Sequence, residues 1–221
     1  MGRALAQQRQ YAFALGLCKQ CVQFHFRRRR QVDRVPGQQV CKSVAWHSSV
    51  WKKGAAIIVA GTGCKWLTWM SGIAGVIRFD GSVAENELHA MLRTMARRGP
   101  DRQACLCEGN AGFGQALLAS TPEATAERQP WVHEESGCIV VSDSRIDNRP
   151  GLLSELGLTG PVDGTGDGEL LHAAWQRWGS DCADRLLGDF AFAIWDPRQQ
   201  SLFCARDIMG VRPFYFHHAP G

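Results

Sequence analysis

The feature that most constrains this 221-residue chain is a break in its charge at Met70. Residues 1–69 carry 12 basic side chains against 1 acidic one and hold all five lysines. Residues 70–221 carry 13 basic and 20 acidic side chains, so a segment of charge +11 is joined to one of −7. The chain therefore divides into a basic extension over 1–69 and a domain over 70–221. The same jump suggests that the biological start is Met70, with the extension lying upstream of it. A domain of about 150 residues can bury a core of its own. A hydrophobic content of 45%, with 8 Trp and 10 Phe, excludes a wholly disordered chain.

The extension shows little periodicity beyond a short helical pattern over Gln8–Leu17, and weak order is expected for it. Arg27 to Arg30, flanked by Phe24 and Phe26, form the kind of run that sits on a phosphate backbone through charge and stacking. No nucleic-acid fold signature accompanies the run, so a solvated tail is expected and nucleic acid is not an expected partner. Cys18 and Cys21 make a C-x-x-C followed by His25, Cys41, His47 and Cys64, without the second close pair that a zinc site uses. No metal is expected. The longest clean apolar run, Ala55–Ala60, is far short of the ~20 residues of a membrane span, and no secretory signal pattern opens the chain. A cytoplasmic location and no membrane partner follow as expectations. The cysteines number nine, and those after Met70 lack framework spacing, which reads as reduced thiols.

From Met70 onward the patterning is orderly. Ile73 to Phe79 is an apolar run closed by Asp80-Gly81, a buried strand ending in a turn. Ser82 and Glu85 have capping-box spacing, Leu88, Met91, Leu92 and Met95 mark one helical face, and Gly99 ends that helix. Gly109–Ser120 and Cys138–Ser142 read as strands separated by a polar loop. Asp167–Trp178 is helical, with Leu171, Ala174, Trp175 and Trp178 on one stripe. Phe190, Phe192 and Ile194 alternate with Ala191, Ala193 and Trp195, and Asp196-Pro197 turns this strand into Ser201–Ala205. A last strand covers Phe214–Phe216. Strands grouped around two long helices indicate an α+β sandwich. His133 and His172 read as surface and helix-face histidines, His217-His218 as a strand end, and Arg206 and Asp207 as structural residues of the turn before Gly210.

Six blocks in this order, Met70-Ser71-Gly72-Ile73-Ala74-Gly75, Arg98-Gly99-Pro100-Asp101, Gln129-Pro130, Gly166-Asp167-Gly168-Glu169, Phe190 to Asp196 and Ala205 to Pro213, resemble the class II glutamine amidotransferase domain that opens asparagine synthetases. The resemblance covers about residues 70–219. It implies an N-terminal-nucleophile fold, a four-layer α/β/β/α sandwich of two antiparallel sheets. In that family an N-terminal Cys, freed by removal of methionine, attacks the side-chain amide of glutamine with its own α-amine as base. The matching position is Ser71, whose hydroxyl is a poorer nucleophile and needs stronger activation. The family's carboxylate-clamping arginine matches Gln115, and its Asn-Gly-Glu segment matches Asp143-Ser144-Arg145. A carboxylate at 143 repels an oxyanion to which an amide would donate, and Arg145 inverts the charge met by a substrate ammonium. Asp167 matches the aspartate that binds the substrate amine. Impaired glutaminase chemistry is the expectation.

Ser71 and the stretch Ser142 to Arg149 look like the macrolactam (lasso peptide) cyclase branch, relatives that close rings instead of transferring ammonia. There a separate or C-terminal synthetase domain adenylates a carboxylate with ATP and Mg²⁺, so those cofactors are implied for that partner domain and none for this chain. The pyrophosphate loop of that domain does not occur here, and the chain reads as truncated with respect to the family. Glutamine or a precursor peptide is the implied ligand. Two other readings are kept: an active glutamine-hydrolysing domain supplying ammonia from Ser71, and a nucleic-acid-binding adaptor working through Arg27 to Arg30.

Overall fold

The computed structural model describes residues 20–26, 32–34, 55–60, 70–158 and 164–218. The extension supplies β1 (Gln20–Phe26), β2 (Val32–Arg34) and β3 (Ala55–Ala60). The domain opens with β4 (Gly72–Arg78), α1 (Glu85–Thr94), β5 (Arg102–Glu108), β6 (Ala111–Leu117) and the short α2 (Pro122–Ala126). Next come β7 (Trp131–Val132), β8 (Ile139–Ile146), α3 (Arg149–Leu156) and α4 (Asp167–Trp178). A 3-10 segment (Gly179–Arg185) leads to β9 (Gly188–Asp196), β10 (Ser201–Arg206) and β11 (Phe214–His218). One six-stranded sheet has the order β2-β1-β10-β9-β8-β7, and a five-stranded sheet the order β11-β3-β4-β6-β5. Every neighbouring pair that is described runs antiparallel.

Side-chain alternation fixes how these sheets stack. On β9, Ala191, Ala193 and Trp195 join Ile73 and Ile77 of β4, Phe113 of β6 and Val141 of β8 in one buried layer between the sheets. The other face of β9, Phe190, Phe192 and Ile194, packs with Leu170, Leu171 and Ala174 of α4 and Leu152 and Leu153 of α3. Across the molecule, Ala74 and Val76 of β4 face Leu88 and Leu92 of α1. Helix, sheet, sheet and helix therefore stack as four layers, as the resemblance implied. No helix among the described residues is long and apolar enough to cross a membrane.

Helix α4 has the bounds read from the sequence, and the β9–β10 hairpin and β11 lie where alternation placed them. The capping box does not form. Ala84 is the N-cap and no side chain caps the helix, because buried Val83 is pinned by its amide to the Gly109 carbonyl at 3.1 Å and α1 starts only after it. Strand β5, α2 and α3 were not anticipated. Nor were the extension's strands: β3 pairs with β4 and β11, and β1 with β10. Gln8–Leu17, Arg27–Arg30, Cys18, Cys41, His47 and Cys64 lie outside the described residues. His172, read as a helix-face histidine, lies on α4 and is buried at 4% exposure, its ring 4.4 Å from that of His133 and 5.2 Å from that of Trp131. Cys138, Cys182 and Cys204 are buried, and Cys105 and Cys107 are half-buried.

Gly188 shows where backbone approach dictates residue choice. Its φ is +134°, and a Cβ there would lie 2.0 Å from the Arg145 carbonyl oxygen on the neighbouring strand. Gly81, by contrast, has nothing within 4 Å of the same virtual atom. In urea unfolding, Gly188→Ala is expected to destabilise the fold by about 3 kcal/mol, and Gly81→Ala to change it by no more than about 0.5 kcal/mol. Equal effects would remove the steric account.

Candidate active site

One end of the sandwich gathers residues from both sheets and from the loops between them. The pocket there is lined by Ser71, Gln115, Leu118, Gln129, Asp143, Ser144, Asp167 and Arg212, among others. Ser71 sits one residue before β4 and is 7% exposed. Its Oγ accepts from the Leu118 amide at 2.9 Å, just past the end of β6. Its carbonyl accepts from Arg98 Nε at 3.4 Å. Because Met70 precedes it, the nitrogen of Ser71 is a peptide nitrogen in this chain.

Gln115 points inward from β6 and is 3% exposed, its Nε2 donating to the Ser142 carbonyl at 2.8 Å. That bond fastens one sheet to the other at the pocket floor. Gln129 Nε2 reaches the Ser142 hydroxyl at 2.7 Å and Glu127 Oε1 at 3.1 Å. Glu127 in turn accepts from the backbone amides of Asp167 and Gly168, so this carboxylate caps the positive end of α4. Burial pushes the Glu127 carboxyl up, while the bonds from Gln129 and Gly168, then Arg149 and Arg102, hold it down.

Both other carboxylates of the pocket meet cations of the chain itself. Asp167 receives Arg149 Nη2 on one oxygen and the Ser144 hydroxyl on the other. Arg149 is itself buried, and its Nη1 donates to the Thr165 carbonyl at 2.8 Å. Asp143 is 3% exposed and pairs with Arg212, Nη1 to Oδ1, at 3.0 Å. Its Oδ2 is buried without a hydrogen-bond partner among the described residues. Burial pushes the pKa of Asp143 up to about 6, against the pull of Arg212 and Arg98. Arg212 is aimed by Asp207, whose carboxylate accepts from the amides of Val211 and Arg212, both at 2.9 Å, in the turn through Gly210. Asp207 is thus structural, as read from the sequence.

Five of the sequence-predicted residues, Ser71, Gln115, Asp143, Ser144 and Asp167, come together in this pocket. Arg145 does not. Its side chain is 51% exposed and pairs with Asp147 at 3.0 Å and Asp189 at 3.2 Å, away from the pocket, so it meets no ligand there. Alternation puts Asp143 and Arg145 on the same face of β8, but Arg145 lies at the exposed end of the strand, where the carboxylates of Asp147 and Asp189 hold its guanidinium in solvent, and a linear match carries no sign of those partners. The cation that lines the pocket is Arg212, and Arg149 reaches its wall through Asp167. Both stand inside the stretches that carry the resemblance, yet only the fold shows what they touch. The pocket's cavity volume is about 20 Å³, room for about one water.

Residues 70–221 match the family model described as a glutamine amidotransferase domain. This chain belongs to that family. It is 33% identical over 152 residues to asparagine synthetase [glutamine-hydrolyzing] 3 of Bacillus subtilis, covering 66% of this chain and 25% of that protein. It is 28% identical over 166 residues to a putative asparagine synthetase [glutamine-hydrolyzing] 2 of Methanocaldococcus jannaschii, covering 67% and 32% respectively. Amidase chry2 of Gibberella zeae is 27% identical over 143 residues, covering 64% of this chain and 21% of that protein. The amidotransferase domain thus spans about a fifth to a third of these relatives.

Two buried groups make stability depend on pH with opposite signs. Asp143, raised from 3.8 to about 6, binds its proton more tightly when folded, so its contribution is present below pH 3.8 and is lost as pH rises through about 6. His172, lowered from 6.5 to about 4 by burial first and by His133 second, contributes above pH 6.5 and loses that contribution as pH falls through about 4. Asp143→Asn removes the first effect, so urea midpoints should fall more steeply between about pH 6.5 and pH 4 in the variant than in the parent. An unchanged slope would show that Asp143 does not titrate in this window. Separately, Arg212→Met leaves the Asp143 carboxylate buried and unpaired and is expected to cost about 3 kcal/mol or more at pH 7.5. Combining it with Asp143→Asn should recover most of that loss.

Proposed function

We propose that this amidotransferase domain is impaired as a glutaminase and serves as a scaffold for an ATP-dependent, amide- or lactam-forming synthetase domain, as in the macrolactam cyclase branch of the asparagine synthetase family. The observation that carries this reading is the internal neutralisation of the pocket's carboxylates. A glutaminase of this class holds the α-ammonium of its substrate on an aspartate, and here the matching Asp167 is already shared between Arg149 and Ser144. A free ammonium would have to displace an arginine that is itself buried.

The reaction's other requirements point the same way. Hydrolysis needs an activated nucleophile, a base to take its proton and donors for the oxyanion. Ser71 has a hydroxyl that accepts from a backbone amide and a nitrogen acylated by Met70, and no histidine is among the described residues lining the pocket. Removal of Met70 would free an α-amine, yet the position of the oxyanion donor would still hold the Asp143 carboxylate. Loss of one such donor costs about 10²–10³ in rate. The small cavity and the bound state of Gln115 further support a packed scaffold over an open substrate cleft.

The ATP, the Mg²⁺ and the activated carboxylate belong, in this reading, to the partner domain. In the same reading a precursor peptide, rather than free glutamine, is the substrate of that domain. Glutamate release from glutamine, measured on the full chain and on protein processed to begin at Ser71, tests the proposal. Both forms are expected to run at least about 10²-fold below a family glutaminase assayed alongside. Turnover comparable to that enzyme would overturn the scaffold reading and restore ammonia supply from Ser71.

A further inference from the structure

The outer face of the α1 layer holds a cluster that no part of the amidotransferase chemistry uses. Glu85 and His89 stand one turn apart on α1, so their side chains share a face. Cys105 of β5 lies under that face. His89 Nε2 is 3.4 Å from Glu85 Oε1, Cys105 Sγ is 3.7 Å from His89 Nε2, and the same sulfur is 3.8 Å from Glu85 Oε1. These three atoms form a nearly equilateral triangle of one oxygen, one nitrogen and one sulfur.

That triangle is close to the face of a zinc tetrahedron. Zinc takes sulfur at about 2.3 Å and nitrogen or oxygen at about 2.0–2.2 Å, so adjacent ligand atoms in tetrahedral coordination lie about 3.3–3.6 Å apart. Closing the observed triangle onto an ion needs shifts of only a few tenths of an ångström. Glu85 and His89 have room to make them, since their side chains are 69% and 52% exposed. The donor set also selects the ion: a thiolate with an imidazole and a carboxylate suits zinc better than magnesium or calcium, which take oxygen alone.

We propose that Glu85 Oε1, His89 Nε2 and Cys105 Sγ form a zinc site, with solvent in the fourth position. On binding, the Cys105 thiol gives its proton to water and the sulfur bonds the metal as thiolate, while His89 binds as neutral imidazole with its proton on Nδ1. The consequence is mechanical. Strand β5 is the edge of the five-stranded sheet, and the ion ties that edge to α1, the helix covering the same sheet. No metal pattern is legible in the residues here, because the third ligand comes from a strand that was not foreseen and is separated from the helical pair by a turn.

Cobalt(II) and zinc titrations of the full chain under reducing conditions test the site. Bound cobalt is expected to show a thiolate-to-metal charge-transfer band with the intense visible bands of tetrahedral coordination, and zinc is expected to displace it. Cys105→Ser and His89→Ala should each lose the charge-transfer band or weaken binding by at least about tenfold. Cys107→Ser and the double variant Cys18→Ser/Cys21→Ser should keep it, with the near-ultraviolet and far-ultraviolet circular dichroism of all variants matching the parent. A band that survives Cys105→Ser, or that disappears with Cys18 and Cys21, overturns the proposal, as does a parent chain that binds no cobalt.

Discussion

The arrangement rests on one constraint: the central strands of both sheets are apolar on both faces. Phe190, Phe192 and Ile194 of β9 cannot be left in water any more than Ala191, Ala193 and Trp195 on the reverse side. A sheet with two apolar faces needs a cover on each. The second sheet covers one face, and α3 with α4 covers the other. The same demand on β4, with Ile73 and Ile77 on one side and Ala74 and Val76 on the other, calls in α1 as the fourth layer. Residue size then sets the spacing. Gly112 and Gly114 lie under α1 because a Cβ at either would come within 3.0 Å or less of Val83, Leu88 or Leu92.

The pocket lies where this apolar stacking ends and polar groups must satisfy each other. Asp143, Arg149, Gln115, Gln129 and Glu127 are all buried, and a buried polar group left alone costs more than the hydrogen bond it would have made. The result is a closed set in which each amide or cation has a stated acceptor. A buried ion pair adds little net stability, because desolvation offsets attraction. What Arg212 and Asp143 do supply is placement. They lock the connection between β10 and β11 against the middle of β8, with Asp207 holding the backbone from which Arg212 extends.

How much of this could be read from the residues depends on which forces act locally. Helix α4 and the β9–β10 hairpin carry strong periodicity and explicit stops, and both fall where expected. Strand β5 does not alternate cleanly, because as an edge strand it is half-buried along most of its length. Helix α3 was missed for a similar reason: Pro150 near its start and Gly157 at its C-cap are signals, but the intervening residues form no apolar stripe. Ala55–Ala60 was legible as an apolar run, and only the partners β4 and β11 make it a strand. In the pocket, the motif positions were readable and the partners were not. Nothing local to Asp143 or Asp167 points to Arg212 or Arg149 as the cation that each meets.

The partners also couple the residues of this pocket to one another. An uncompensated carboxylate at 143, nearly sealed from water, would be strongly destabilising, and a carboxylate there is tolerable because a guanidinium reaches it. Once that guanidinium is in place, an amide at 143 would leave it facing a neutral group in the same dry surroundings. Asp167 and Arg149 are bound by the same logic, with Ser144 filling the second carboxylate oxygen. On the scaffold reading proposed above, substrate ions would compete with internal ions of the same charge that are already desolvated and held in place. For such a competitor to win, it would need contacts that repay both its own dehydration and the release of a buried arginine, and the small cavity beside Ser71 offers few surfaces on which to make them.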